Sequence, residues 1–196
     1  MTRKCRYQLC RQELPPAKLS APVEKAGFCG YDCMAQHGLA KARAQIAKET
    51  RRWVRSEKER LKTKGDWTKE AQTEFNKYIR ARDKYQPCIS CGRFPSDADL
   101  LTGSRVDAGH YRSVGSCPEL RFEELNCHGQ CVKCNQHLSG NTVEYRIRLV
   151  QRIGLNAVDW LEGPHEPKRY TIDDLKEIKA AYQRKAKALT KSQEAA

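Results

Sequence analysis

The stretch CVKCNQHLSGN, Cys131 to Asn141, carries two cysteines at metal-ligand spacing and an asparagine directly after the second. A structural metal site uses the thiolates but has no need of Asn135. The stretch therefore raises the question of whether chemistry sits beside the metal. A matching pair, Cys88-x-x-Cys91, lies upstream in PCISCG. Each knuckle presents two thiolates in one tight turn, and two knuckles together make a tetrahedral zinc site of four cysteines. The chain between them then closes as a hairpin and loop, so residues 86–141 read as a small unit shaped by its metal.

A looser set lies at the N-terminus: Cys5 and Cys10 in CRYQLC, and Cys29 and Cys33 in CGYDC, with His37 as a spare ligand. Four thiolates with two short internal gaps suit a second tetrahedral zinc ion. Ten cysteines in a reducing compartment favour metal over disulfides. The N-terminus MTRKCRYQLCRQ has no apolar run of a signal peptide, and no stretch approaches a membrane span, so the expected location is cytoplasmic. Apolar residues make up only 39% of the 196, and a zinc site offsets such a thin core because metal-binding free energy becomes folding free energy.

The formal net charge is +13, which calls for an anionic partner, nucleic acid first. The charge is uneven. Lys41 to Lys84 holds 15 Lys and Arg against 7 Asp and Glu. This part reads as helix with few apolar residues up to Leu61, an arm on which Arg51, Arg52, Arg55, Lys58, Arg60 and Lys62 are the DNA-binding candidates. Gly65-Asp66 is expected to break it. A second helix from about Thr68 to Lys84 sets Phe75, Tyr78, Ile79 and Arg82 at helical spacing as core. Asn141-Thr-Val-Glu144 reads as a capping box opening a helix through Val143, Ile147, Val150 and Ile153, closed by Gly154. After a loop containing EGPHEP, Thr171-Ile-Asp-Asp174 opens a last helix with Ile172, Leu175, Ile178 and Tyr182 on one face. The expected fold is α+β and mostly helical. Its segments are an N-terminal four-cysteine zinc module (1–37), a basic helical arm (38–85), a zinc-braced core (86–141) and C-terminal helices (142–196).

Between the knuckles the polar groups run His110 in VDAGHYRSVG, Asn126 in LRFEELNCHGQ, then Asn135. At these residues the sequence resembles the HNH endonucleases, whose treble-clef-like ββα-metal fold is a hairpin packed on one helix. Within that superfamily, DAGHYRS, LRF, the N-x-H-x-Q-C run, CN, LSGN and the following EYR resemble the bacteriophage lambda NinG family, also called Rap, over most of the chain. The resemblance implies recombination endonucleases acting on branched DNA such as Holliday junctions and D-loops, in the cytoplasm of a bacterial host.

It also implies roles. His110 would be the general base that takes a proton from water, Asn126 would orient its imidazole, and Asn135 would bind a catalytic Mg2+ or Mn2+ ion distinct from the two structural zincs. The chain departs from the pattern at Gly109, where many HNH enzymes carry a metal-binding aspartate. Asp107 stands three positions before His110, on the other face of a regular strand, and serves as ligand only if a bend or bulge turns it. Otherwise it is a strand-end carboxylate. His128 can contribute to the metal instead, or be a plain surface histidine, and His137 is expected on a helix surface. Arg112 and Arg121, near the hairpin, can clamp phosphate oxygens or be ordinary surface arginines. Cys117 and Cys127 read as small packed residues.

The sequence leaves three readings: this nuclease on branched DNA, a zinc-finger DNA-binding protein without catalysis, or an HNH nuclease of restriction type cutting duplex DNA. One HNH site cuts one strand, which makes a homodimer attractive, and phage or host recombination proteins are the implied partners.

Overall fold

The computed structural model describes residues 3–16, 21–94 and 106–194. Its contacts group the chain into two units, Met1–Leu61 and Lys62–Ala196. The helix Tyr31–Arg60 runs unbroken through position 38, where the sequence reading placed a boundary. The reading's three later segments lie within the second unit, apart from residues 38–61.

The first unit opens with a two-stranded antiparallel pair, β1 (Arg3–Lys4) and β2 (Glu13–Leu14), followed by the single turn α1 (Pro22–Lys25) and the long α2 (Tyr31–Arg60). Among the described residues its core is Cys5, Leu14, Val23 and Phe28, with Tyr7, Cys10, Cys29 and Cys33 against it. Such a core leaves much of the stability to the cysteines. None of the 30 residues of α2 is buried. Beyond its first turns, where Cys33 and His37 meet the core, its Ala, Lys, Arg, Glu and Gln content sustains the helix on intrinsic propensity.

The second unit is built on α3 (Lys64–Arg82), the hairpin β3 (Asp107–His110) and β4 (Cys127–Gln130), then α4 (Thr142–Ile153), α5 (Leu155–Glu162) and α6 (Ile172–Glu194). The hairpin is antiparallel, with pairs Asp107–Gln130, Ala108–Gly129, Gly109–His128 and His110–Cys127. It lies between two helical layers. On one side Phe75 and Ile79 of α3 and Tyr182 of α6 pack with Cys127 and Ala108. On the other, the Tyr145 hydroxyl of α4 donates to the Gly109 carbonyl, and Tyr145 and Leu149 join Ile89, Cys117, Leu120, Val158 and Leu161. Truncating a fully buried aromatic such as Phe75 to Ala typically costs about 3–5 kcal/mol.

Helices α3 and α6 run side by side in the same direction. Trp67 and Leu175 share a cluster, Lys179 reaches Glu70 at 2.9 Å, Gln183 reaches Glu74 at 3.2 Å, and Gln193 donates to the Ala81 carbonyl at 2.9 Å.

Several local expectations are corrected. Gly65-Asp66 does not break the helix. The break falls at Leu61 to Thr63, and Asp66 closes a capping box in which Thr63 Oγ1 accepts the Asp66 N–H. Asn141 is the N-cap of α4 but makes no side-chain cap. It sits at φ 44°, and its carboxamide donates instead to Cys134 Sγ at 3.7 Å. The buried face of α4 is Tyr145 and Leu149, leaving Val143 and Ile147 exposed. Helix α5 occupies a stretch for which no helix was expected. The Thr171/Asp174 box stands, with the Asp174 N–H donating to Thr171 Oγ1 at 3.1 Å.

Candidate functional site

Two groups of four cysteines gather as the spacing requires: Cys5, Cys10, Cys29 and Cys33, and Cys88, Cys91, Cys131 and Cys134. Within each group all sulfurs lie within 4.8 Å of one another. Zinc–sulfur bonds of about 2.3 Å set sulfurs of a tetrahedron roughly 3.8 Å apart. Cys91 and Cys131 are 3.8 Å apart, and the N-terminal set is slightly tighter, with Cys10–Cys29 at 3.5 Å and Cys29–Cys33 at 3.4 Å. Crowding makes the thiols resist joint ionisation: its hydrogen bond with Cys29 pushes Cys33 up to about 12, and burial together with Cys131 pushes Cys134 up to about 12. A divalent cation removes that conflict, so both sets fit zinc. His37 is not one of either set; its ring packs against Phe28.

The second cysteine set braces the hairpin. The Cys131 N–H donates to Cys88 Sγ at 3.3 Å, and Ile89 N–H donates to the Gly129 carbonyl at 3.0 Å. Asn135 follows Cys134 directly, on the π-helical turn Lys133–His137, whose last residue His137 is exposed.

His110 ends β3 on the face that packs on α3, its ring stacked on Phe75 with centroids 5.9 Å apart. Its Nε2 lies 3.0 Å from the Arg121 carbonyl and its Nδ1 3.7 Å from Cys127 Sγ. Since a carbonyl only accepts, Nε2 carries the proton of the neutral ring and Nδ1 is the bare nitrogen. Burial, aided by the nearby Arg121 charge, lowers the His110 pKa below the ordinary 6.5, so the ring is neutral near pH 7. Cys127 beside it is a fully buried thiol pushed up by burial.

Asn126 is buried, and among the described residues no hydrogen bond joins it to the His110 ring. Its Oδ1 accepts the Arg112 N–H at 2.8 Å, and its Nδ2 donates to the Arg112 and Leu120 carbonyls at 3.0 and 3.2 Å. Asn126 thereby fixes the backbone that follows His110 and leads to Arg121, and so positions the carbonyl that holds the ring.

Asp107 and Asn135 meet on the opposite face. Asn135 Nδ2 donates to Asp107 Oδ2 at 3.0 Å, and Gln136 Nε2 donates to the same oxygen at 2.8 Å. The β3–β4 register is continuous through Asp107, without a bulge, so strand alternation puts this pair and His110 on different faces. No hydrogen bond joins His110 to either residue among the described residues.

His128 is elsewhere. It is buried in a charged cluster, its Nδ1 3.1 Å from Arg82 Nη2 and 3.7 Å from Asp83 Oδ2, and its Nε2 3.1 Å from the Leu125 carbonyl. Arg82 also donates to Asp83 at 2.7 Å and to the Cys127 carbonyl at 2.8 Å. Burial would raise the Asp83 carboxyl, but hydrogen bonds from Arg82 and from the Gly129 N–H, with the Arg82 charge beside it, hold it well below the carboxylate range.

Sequence reasoning passed over Gln130 and this Arg82–Asp83 cluster. Gln130 is fully buried, and an added Cβ at Gly109 would lie 2.1 Å from its Oε1. The signal was present as a glycine where a carboxylate was looked for.

Of the proposed DNA contacts, Arg51, Arg52, Arg55, Lys58 and Arg60 lie exposed on α2, Arg60 paired with Glu57 at 2.9 Å. Lys62 belongs to the second unit, bonded to Glu70 at 2.7 Å and over the Trp67 ring at 4.4 Å. Arg112 and Arg121 are half-buried beside the hairpin, donating to Cys117 Sγ at 3.4 Å and Gln72 Oε1 at 3.3 Å. No helix among the described residues is long and apolar enough to cross a membrane.

No solved structure matches the fold. The sequence is 40% identical to Protein ninG of Escherichia phage lambda, over 97% of this chain and 94% of that one. It is 39% identical to Protein ninG of Salmonella phage P22, over 97% and 95% of the two chains. Protein ninG of Escherichia phage 933W is 49% identical over 67% of this chain and 62% of its own. The family model described as Bacteriophage Lambda NinG protein matches residues 1–194, across both cysteine sets, the basic helix and the hairpin, and the chain belongs to that family.

Proposed function

We propose that the protein is a metal-dependent DNA endonuclease of the HNH type that cleaves phosphodiester bonds in branched recombination intermediates, Holliday junctions and D-loops among them. The observation that carries this reading is the His110 ring. Its Nε2–H is committed to the Arg121 carbonyl, and its lowered pKa leaves Nδ1 unprotonated near pH 7, as a general base requires.

Asn126 holds the segment that carries that carbonyl. Asp107 and Asn135 offer hard oxygen donors, which suit Mg2+ or Mn2+. When bound, such an ion polarises the phosphate and stabilises the leaving oxygen. Arg112 and Arg121 are near enough to the hairpin to meet phosphate oxygens, and the exposed cations of α2 supply affinity without sequence readout. The preference for branched DNA rests on the family resemblance. A second copy would supply the second cut of a junction, and recombination proteins of phage or host are the partners this function implies.

The test uses zinc-loaded protein with Mg2+ or Mn2+ on labelled linear duplex, flap, D-loop and four-way junction. Cleavage of the branched substrates is expected, and His110→Ala should reduce it by roughly two to four orders of magnitude while zinc and DNA binding persist. A folded His110→Ala protein cutting at the parental rate would overturn the reading. Cutting of linear duplex at one defined sequence would replace it with a restriction-type nuclease.

One observation favours a second reading, a zinc-stabilised DNA-binding protein without catalysis. The Asp107–Asn135 pair and His110 stand on opposite faces of the hairpin. This reading expects junction binding with no cleavage in any divalent metal.

A further inference from the structure

We infer that Gln130 supplies a third oxygen to the divalent-cation site of Asp107 and Asn135, an inference that rests on the metal-dependent reading above. Gln130 has no exposed surface. Its Nε2 donates to Ser90 Oγ at 2.7 Å and to the Gly140 carbonyl. The second of these partners fixes which end of the amide is oxygen, since a flipped group would set two acceptors against each other. Oε1 then has no hydrogen-bond partner among the described residues. A buried acceptor left unpaired costs about 1–3 kcal/mol, and each such group in a folded protein calls for a missing partner.

The place of this oxygen says which partner. Gln130 is directly opposite Asp107 in the antiparallel register, where Cβ atoms stand about 4.5–5.5 Å apart on one face. Asn135 joins the same cluster by donating its Nδ2 to Asp107, which turns its amide nitrogen, not its Oδ1, to the carboxylate. Gly109, two residues along β3 from Asp107, shares that face, and only a residue without Cβ leaves room there for Oε1, which a Cβ would meet at 2.1 Å. Once the Asn135 amide turns over to present Oδ1 in place of Nδ2, one carboxylate and two carboxamide oxygens form a hard donor set of single negative charge. It suits a Mg2+ or Mn2+ ion that keeps its other positions for water and a phosphate oxygen. His128, saturated by Arg82, Asp83 and the Leu125 carbonyl, is not needed.

The decisive experiment follows the side-chain carboxamide resonances of Gln130 and Asn135 by NMR while Mg2+ is added to zinc-loaded wild-type protein. Both should shift and saturate at the same concentration. In parallel, Gln130→Met should weaken Mn2+ binding, read by electron paramagnetic resonance, by roughly tenfold or more with zinc content unchanged. A shift at Asn135 with none at Gln130 overturns this inference and leaves the metal-dependent reading standing. A shift at neither removes both. A folded Gln130→Met protein with parental Mn2+ affinity also overturns it, and if that variant does not fold, the wild-type titration decides alone.

Discussion

The Gly129 N–H donates to Asp83 Oδ2 at 2.7 Å, tying the C-cap of α3 to the strand that enters the second cysteine set. Arg82 and His128 converge on the same carboxylate, and Arg152 approaches it at 3.8 Å. Asp83→Ala removes the buried carboxylate that Arg82 and Arg152 face. It should cost about 3–5 kcal/mol, the usual consequence of leaving a buried charge uncompensated. Urea unfolding of the zinc-loaded protein checks this; a loss under about 1 kcal/mol, the value of an exposed pair, would mean that water reaches the cluster.

Two zinc ions per chain are expected by elemental analysis, one for each set of four cysteines. Cys131→Ser should lose one of them and collapse the hairpin's protection in hydrogen exchange, because a lost ligand takes folding free energy with it. Cys10→Ser should lose the other, with the hairpin's protection retained. One zinc in the parent protein would reassign one of the sets as free thiols.

Acid should weaken the fold before any carboxylate titrates. Burial lowers the pKa of both His110 and His128 in the folded state from 6.5. Below 6.5 the unfolded rings take up protons that the folded rings refuse, so the contribution is complete above that pH and shrinks as pH falls under it. Asp83 acts in the same direction at lower pH, its contribution lost as pH drops below 3.8. Unfolding midpoints about one unit either side of 6.5, with zinc content verified at both, should show lower stability on the acid side. Equal midpoints would show both rings to be solvated.

On α2, replacing Arg51, Arg52, Arg55, Lys58 and Arg60 by Gln should weaken binding to every DNA structure and flatten the salt dependence, by about 0.9 in log–log slope for each phosphate no longer neutralised. Lys62→Gln should behave differently. Its charge is already spent on Glu70 and Trp67, so DNA affinity should hold while stability drops slightly. Unchanged affinity in the five-residue variant at low salt would make the helix a surface for another partner.

The cysteine pairs were legible because a metal imposes a spacing that survives translation into one dimension. Capping at Thr171 and the core positions Phe75 and Ile79 were legible for a similar reason: each depends on neighbours within a turn or two. The face of α4 was not. Val143 and Ile147 keep helical spacing with Val150 as well as Tyr145 and Leu149 do, yet they are exposed while Val150 and Ile153 pack beside Tyr145 and Leu149, and only the position of the hairpin decides which row is covered. Asn141 looked like a side-chain cap because its alternative partner, Cys134, is brought near only by the turn that carries the second cysteine pair. His110, Asn126 and Asn135 were found by their order along the chain. That order does not say which face of the hairpin each occupies, and Gln130 was hidden because its meaning depends on what is missing at Gly109.

The parallel pairing of α3 with α6 sets a schedule for the growing chain. Gln193 bonds the Ala81 carbonyl, so the second unit's main helix pair joins the two ends of its sequence. Contacts this far apart are slow to form, and on the ribosome they cannot form until the last helix has emerged. Phe75 and Trp67 must wait uncovered through most of synthesis. The second cysteine set can close earlier, since Cys134 is made well before Ile172. Metal capture would then be the first commitment of the nascent chain, and cells short of zinc should accumulate it as aggregate rather than as folded protein lacking metal.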